Sequence, residues 1–221
     1  MASTALTVDV VSDVVCPWCF VGKRRLEKAI ALVPDVVVDV HWRPYQLAPE
    51  LPAEGTPRRA YMIAKFGSAE RIEQIHQRLT GIGAEEDIAF DFDRIAVAPN
   101  TMNAHRLVLW ARAGGRQGDV VEALFRAFFV EGRNLSDDAV LIEIGAANGL
   151  DPALLTELFG SDSDIERTRR EIASAQRIGV TGVPFFIVAG KYGIAGAEAP
   201  ETIAGAIRQA AAEAGEPAAA S

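Results

Sequence analysis

Cysteine is scarce in this chain: two among 221 residues, Cys16 and Cys19. One bridge at most is open to them, which excludes a small secreted scaffold stapled by several disulfides. Basic charge is also short, 22 lysines and arginines against 30 acids, a net charge of −8 that gives no electrostatic reason to bind a polyanion. Nucleic acid is therefore not an expected partner. Nor does any uncharged run approach the ~20 apolar residues of a spanning helix, so no membrane partner is expected. Met1–Thr7 carries no basic residue and no apolar run ahead of the strand-like Leu6–Val11, so no secretory signal is read there. The expected setting is cytoplasmic, where thiols are kept reduced and a C-x-x-C pair more often serves redox or metal chemistry than stapling.

What the chain does contain is β-branched punctuation at its two ends and helical periodicity between. Thr7–Val11 and Val36–Trp42 read as strands. Between them a helix runs from Pro17, suited to a first helical position, towards Pro34, with Cys19, Gly22, Leu26, Ala29, Ile30 and Val33 as its buried stripe. Cys19 is expected to face inward and Cys16 to sit at the exposed N-terminus. Arg43–Pro57, with four prolines, reads as a connector. Helical signals follow to about Phe159, with Thr56-Pro57 and Asp151-Pro152 as cap-plus-first-residue pairs, and Ser68, Asn100 or Thr101, and Ser136 as further caps. Ser163-Asp164-Ile165-Glu166 reads as a capping box opening a helix to about Ile178. Phe185–Val188, Ala189-Gly190 and Tyr192–Ala195 suggest a hairpin, a last helix starts at Pro200, and Glu213–Ser221 reads as a frayed tail. The order predicts an α/β fold interrupted by an all-α insertion, with domains at 1–48 plus 161–221 and at 49–160.

Cys16-Pro17-Trp18-Cys19 stands at the strand-to-helix junction. A helix N-terminus offers unpaired N–H groups and a positive dipole end, which stabilise a thiolate, and a partner three residues on lies within reach to displace a mixed disulfide. As a staple the bridge would contribute only about 2 kcal/mol. As a zinc site the pair lacks ligands: the chain adds only His41, His76 and His105. No bound metal is expected, and redox chemistry is the favoured reading. A second feature is Gly179-Val180-Thr181-Gly182-Val183-Pro184 ahead of the apolar strand, a place where a cis X–Pro bond can be built in.

Three stretches, Ser12–Cys19, Ala104-His105-Arg106-Leu107 and Gly182–Phe186, together resemble the signatures of the DsbA-like thioredoxin superfamily, most closely its FrnE-like cytoplasmic branch. The resemblance runs from Leu6 to about Ala212. It implies a thioredoxin-like fold with an all-α domain inserted after the second strand, Cys16 as nucleophile, Cys19 as resolving thiol, and Val183-Pro184 as a cis-proline loop offering its backbone to an extended substrate. It further implies protein or small-molecule thiol and disulfide substrates, no bound cofactor, and glutathione or another small thiol as redox partner, in a monomer or homodimer. Trp18, where periplasmic members carry histidine, implies a weaker oxidant. Phe20 stands in place of a tyrosine, and Ile194–Glu198 lacks the expected serine and glutamine.

His105 is either a satisfied surface or interface histidine or a group that faces the cysteines, binds substrate or moves a proton. Asp13 either caps the loop or tunes the thiol. Trp42, Trp110, Phe125, Phe128 and Phe129 are expected in the core, and His41 and His76 in structural roles. Two rival functions stay open: a glutathione-dependent isomerase or transferase resembling the chromene-carboxylate isomerases, and a chaperone-like binding protein with the pair as a redox switch.

Overall fold

In the computed structural model, which describes residues 5–215, the first strand, β1 (Leu6–Ser12), lies at the centre of the sheet. It pairs in parallel with β2 (Val38–Pro44), Leu6 opposite Val38 and Ser12 opposite Pro44. That register moves β2 two residues beyond the expected Val36–Trp42, because Val36 is spent in the turn, its N–H bonding the Val33 carbonyl. Pro44 is tolerated because β2 is an edge strand. On the other side β5 (Phe185–Val188) runs antiparallel to β1 and pairs with β6 (Tyr192–Ala195), giving the order β2-β1-β5-β6. The hairpin turns through the three residues between the paired Val188 and Tyr192, with Ala189 and Gly190 at positive φ and the Lys191 N–H donating to the Val188 carbonyl at 3.0 Å.

Helix α1 (Pro17–Ala31) packs against α9 (Pro200–Gly215), and α8 (Ile165–Arg177) lies on β2. Between β2 and α8 come α2 (Arg58–Phe66), α3 (Ala69–Glu85), α4 (Met102–Ala111), α5 (Gln117–Phe129), α6 (Asp138–Ala147) and α7 (Pro152–Phe159). They are not wholly helical: β3 (Thr56–Pro57) pairs with β4 (Val97–Ala98). Thr56-Pro57 is thus a strand fragment and Pro57 precedes α2, correcting its assignment as a first helical residue.

Ser68 and Asp151 cap as expected. Asn100 supplies the oxygen for Met102 N–H at the start of α4. Ser136 does not cap α6; its hydroxyl accepts from Asn100 N–H, and Asp137 caps instead. No capping box forms at Ser163, because Asp164 adopts φ 63° and its carboxylate receives the Trp110 indole N–H at 2.9 Å. Glu213, expected in a frayed tail, lies in α9 and bonds Lys191 and Tyr192; residues 216–221 of that tail lie outside the described residues.

One aromatic core joins the inserted helices to the sheet unit. Phe20 on α1 stacks on Phe125 at 5.0 Å between ring centroids and meets Phe90 edge-on at 6.0 Å, while Phe128 and Phe129 continue the cluster. Trp42 is buried with them and Trp110 is half-buried. Charges reinforce the same seam: Arg24 meets Glu122 of α5 at 2.5 Å, and Arg25 and Lys28 hold Glu86, just past α3, at 2.7 and 2.8 Å. These cations hold the Glu86 and Glu122 carboxyls below their ordinary range against the opposing effect of burial.

Candidate active site

Cys16 is the N-cap residue of α1 and Pro17 its first helical residue, so the strand-to-helix junction places the first thiol against the open amides of the helix start. Both cysteines are free thiols. Cys19 is 1% exposed, as its place on the inner stripe predicts. Cys16 is 5% exposed, which overturns its expected exposure. Its sulfur lies 3.6 Å from the Val183 carbonyl oxygen, on the loop that comes down over the helix start from the far end of the sequence. The Val183–Pro184 bond is cis; Pro184 is buried, Val183 half-buried, and Thr181 and Gly182 exposed. Gly22 makes this approach sterically possible, since a Cβ there would stand 2.9 Å from Pro184 Cγ and 3.3 Å from Phe186 Cζ. Trp18, half-buried, completes the motif and carries no charge.

The pair is unsymmetrical. Burial pushes the Cys19 thiol well above its usual value and Cys16 beside it adds to the rise, while the Ser12 hydroxyl and the Asp13 backbone N–H oppose it. Cys19 therefore carries its proton at neutral pH.

Behind the cysteine loop lies a group of buried polar atoms. His105 of α4 places Nε2 3.3 Å from Asp13 Oδ1, with His105 3% and Asp13 1% exposed. His105 is therefore an interior residue, away from the surface a substrate would reach. Asp13 Oδ2 accepts the Leu47 N–H at 2.8 Å. Ser12 Oγ, Asp13 Oδ1 and His105 Nε2 are the buried side-chain polar atoms without a well-formed hydrogen bond among the described residues. A cavity of about 10 Å³ adjoins Ser12 and His105, close to the volume that holds one water.

The next residue, Arg106, is buried in the opposite direction. Its guanidinium donates to the carbonyls of Leu158 (2.7 Å), Ser161 (2.8 Å) and Ser163 (3.0 Å) and to Asn103 Oδ1 (2.9 Å), and lies over the Trp110 ring. These bonds use four of its five N–H donors and tie the end of α7 to the approach to α8. The sequence marked Arg106 only as part of a signature; the carbonyls it serves carry no side-chain signal.

Beside Val15 and Pro17 an apolar cavity of about 140 Å³ opens, lined among others by Met62, Phe66, Leu79 and Phe129. Arg58 stands in its wall, donating to the Phe92 carbonyl at 3.2 Å and facing His76 Nε2 at 3.4 Å, with the charge of Asp93 also acting on it. His76 stacks on Phe92 and is held below its usual value by burial and by Arg58. His41 lies between Asp39 and Asp9 on the sheet edge, far from the cysteine loop in sequence and contacts. No cluster of three histidine, cysteine or acidic side chains fit to hold a metal occurs among the described residues. No described helix is long and apolar enough to cross a membrane.

A four-stranded sheet with a dithiol at the start of its first helix, a cis-proline loop against that dithiol, and helices inserted after the second strand defines a thioredoxin fold of the DsbA type. Residues 7–208 match the DSBA-like thioredoxin domain, and the chain belongs to that family. The Streptomyces coelicolor protein SCO1869, described as a probable DsbA oxidoreductase, is 31% identical and superposes with a TM-score of 0.88 over 98% of this chain and 94% of its own. A 2-hydroxychromene-2-carboxylate isomerase is similar in fold at 17% identity, TM-score 0.72, with 94% and 97% of the two chains covered. The cytosolic disulfide reductase DsbM of Pseudomonas aeruginosa, solved with glutathione, shares the fold at 21% identity and TM-score 0.62, covering 95% and 97%.

Proposed function

We propose that the protein is a thiol–disulfide oxidoreductase working through Cys16 and Cys19. The observation that carries this reading is the placement of Cys16 at the α1 N-cap with its sulfur 3.6 Å from the Val183 carbonyl, beside the cis-Pro184. Cys16 as thiolate attacks one sulfur of a substrate disulfide; the substrate's second half leaves as a thiol, and a mixed disulfide remains on Cys16. Cys19 then attacks Cys16 Sγ, releasing the first half and leaving the Cys16–Cys19 disulfide, which an external thiol reduces. Two electrons pass from the pair to the substrate, and reversing the steps oxidises a dithiol.

The half-buried Val183 and exposed Thr181-Gly182 offer main chain to an extended polypeptide, a mode that tolerates varied sequences. The apolar cavity beside Val15 and Pro17 adds a place for one side chain of the substrate. A small thiol serves as reductant; DsbM, solved with glutathione, makes that thiol the first to try. The cytoplasm is the compartment in which such a couple stays poised for reduction. The test is an insulin-type reduction assay: Cys16→Ser is expected to abolish turnover, and retained turnover overturns the assignment.

A second reading draws on the same cavity. An apolar chamber of ring size with the Arg58 guanidinium in its wall suits a small aromatic acid, the class named in the isomerase of similar fold. That activity would require non-covalent glutathione binding and would survive Cys19→Ser, whereas disulfide exchange would not.

A further inference from the structure

A second, larger recess of about 580 Å³, a size typical of ligand sites, lies across the loop that follows β2. That loop is a partition: Leu47, Ala48 and Leu51 line the apolar cavity beside Pro17, whereas Gln46, Pro49 and Ala53 line the recess. Another wall is one stripe of α8, in which Ile165, Arg169, Ile172 and Gln176 recur at three- and four-residue steps. From Ile165 to Gln176 the helix rises about 16 Å, the length of about five residues of extended chain.

One end of the recess leads to the cysteine site. Gln176 lies near the end of α8, just ahead of the segment that runs to Val183. Tyr45, next to Gln46, packs with Val183 on the same small cluster of Val11, Ala175 and Val180. Val183 in turn holds its carbonyl 3.6 Å from Cys16 Sγ. A chain leaving the cysteine site past Val183 meets the α8 wall first at Gln176.

The lining decides what fits. Met102, Phe159 and Ile172 supply apolar surface, and Gln46 and Gln176 supply carboxamides, which both donate and accept as a peptide group requires. Gln46 is 7% exposed and its amide donates to Asn100 Oδ1 at 3.2 Å, so it is ordered before anything binds. Charge is matched within the wall: Arg106 gives four N–H donors to protein oxygens, Arg169 pairs with Glu166, and Asp162 adds a negative charge. That balance disfavours a small anion and suits a neutral, amide-bearing chain with apolar side groups.

We propose that this recess is a second subsite of the redox centre and takes about five residues of extended polypeptide flanking the disulfide of a protein substrate. This rests on the redox reading of Cys16 and Cys19. The cysteine pair reacts with the disulfide and α8 grips the flank, so the preferred substrate is a polypeptide rather than a small disulfide.

The test compares a short cysteine peptide, in mixed disulfide with cysteamine, with two versions lengthened by five residues on the N-terminal or the C-terminal side. One lengthened peptide is expected to show a KM roughly tenfold below that of the short one, the worth of one or two net hydrogen bonds. Ala173→Trp, which fills the recess from an exposed position, is expected to bring that ratio to about one. Leu154→Ala, on the exposed face of α7, leaves it near ten. A second measurement does not depend on these variants. The lengthened peptide, trapped on Cys16 of Cys19→Ser with a photo-crosslinker at its far residue, is expected to link to residues 165–176. Equal KM values for all three peptides, a ratio that survives Ala173→Trp, or a crosslink outside the recess overturns the proposal. Absence of any adduct on Cys16 overturns the redox reading with it, whereas an adduct whose crosslink misses α8 overturns this proposal alone.

Discussion

His105 and Arg106 are adjacent on α4, both buried, and their side chains end in opposite surroundings. Arg106 meets three carbonyls and an amide oxygen, every one within 3.0 Å. His105 meets one carboxylate oxygen at 3.3 Å in a geometry that satisfies neither atom, next to a serine hydroxyl in the same state. A buried ion held by four hydrogen bonds works as a clamp. An unsaturated cluster costs stability. One α-helical step thus separates a residue that holds two segments together from one whose ring nitrogen Nε2 has no well-formed hydrogen bond.

The comparison can be broken from either side. Arg106→Met takes the guanidinium from three carbonyls at the α7 to α8 connection, of which Leu158 keeps the Ser161 hydroxyl, and is expected to lose about 3–5 kcal/mol in urea unfolding. A loss below about 1 kcal/mol would mean that the clamp is ornamental. Gly22→Val tests the steric part of the site alone, because its side chain meets the Pro184 ring; about 2–3 kcal/mol should be lost, most of it as faster unfolding or a displaced loop. For the reduced protein, stability should be full below the ordinary thiol value of about 8.5 and fall as pH rises above it, by at most about 1.4 kcal/mol per pH unit. The sign follows from the raised Cys19 pKa: in that window the unfolded chain releases a proton that the folded chain keeps. Cys19→Ala should remove that dependence, and an unaltered pH profile would deny the raised value. The smallest effect falls to Ser12→Ala, expected to leave stability unchanged or raise it by up to about 1 kcal/mol, since an unsatisfied hydroxyl is removed. A loss there as large as that of Arg106→Met would erase the distinction.

Much of the site was legible because it is local. Pro17 at the helix start and the inward phase of Cys19 follow from spacing within one turn, and the hairpin follows from its strand composition and turn. The burial of Cys16 was not legible, because the carbonyl that covers it lies 167 residues away in the chain. Ser136 and Ser163 have the composition of caps, but other partners win their hydroxyls: the Asn100 amide for the first and the Ser161 hydroxyl for the second. The Ser12–Asp13–His105 cluster needs α4 folded back onto the end of β1, a contact that residue spacing alone does not encode. The cavity at Arg58 depends likewise on how α2 and α3 stand against the loop after β2.

The account's central claim is that Cys16 attacks and Cys19 resolves, and trapping the covalent intermediate tests it most directly. Cys19→Ser incubated with a peptide disulfide should accumulate one stable adduct, mapped by mass spectrometry to Cys16, while Cys16→Ser accumulates none. An adduct on Cys19 in the Cys16→Ser protein, or no adduct in either variant, would contradict the assignment.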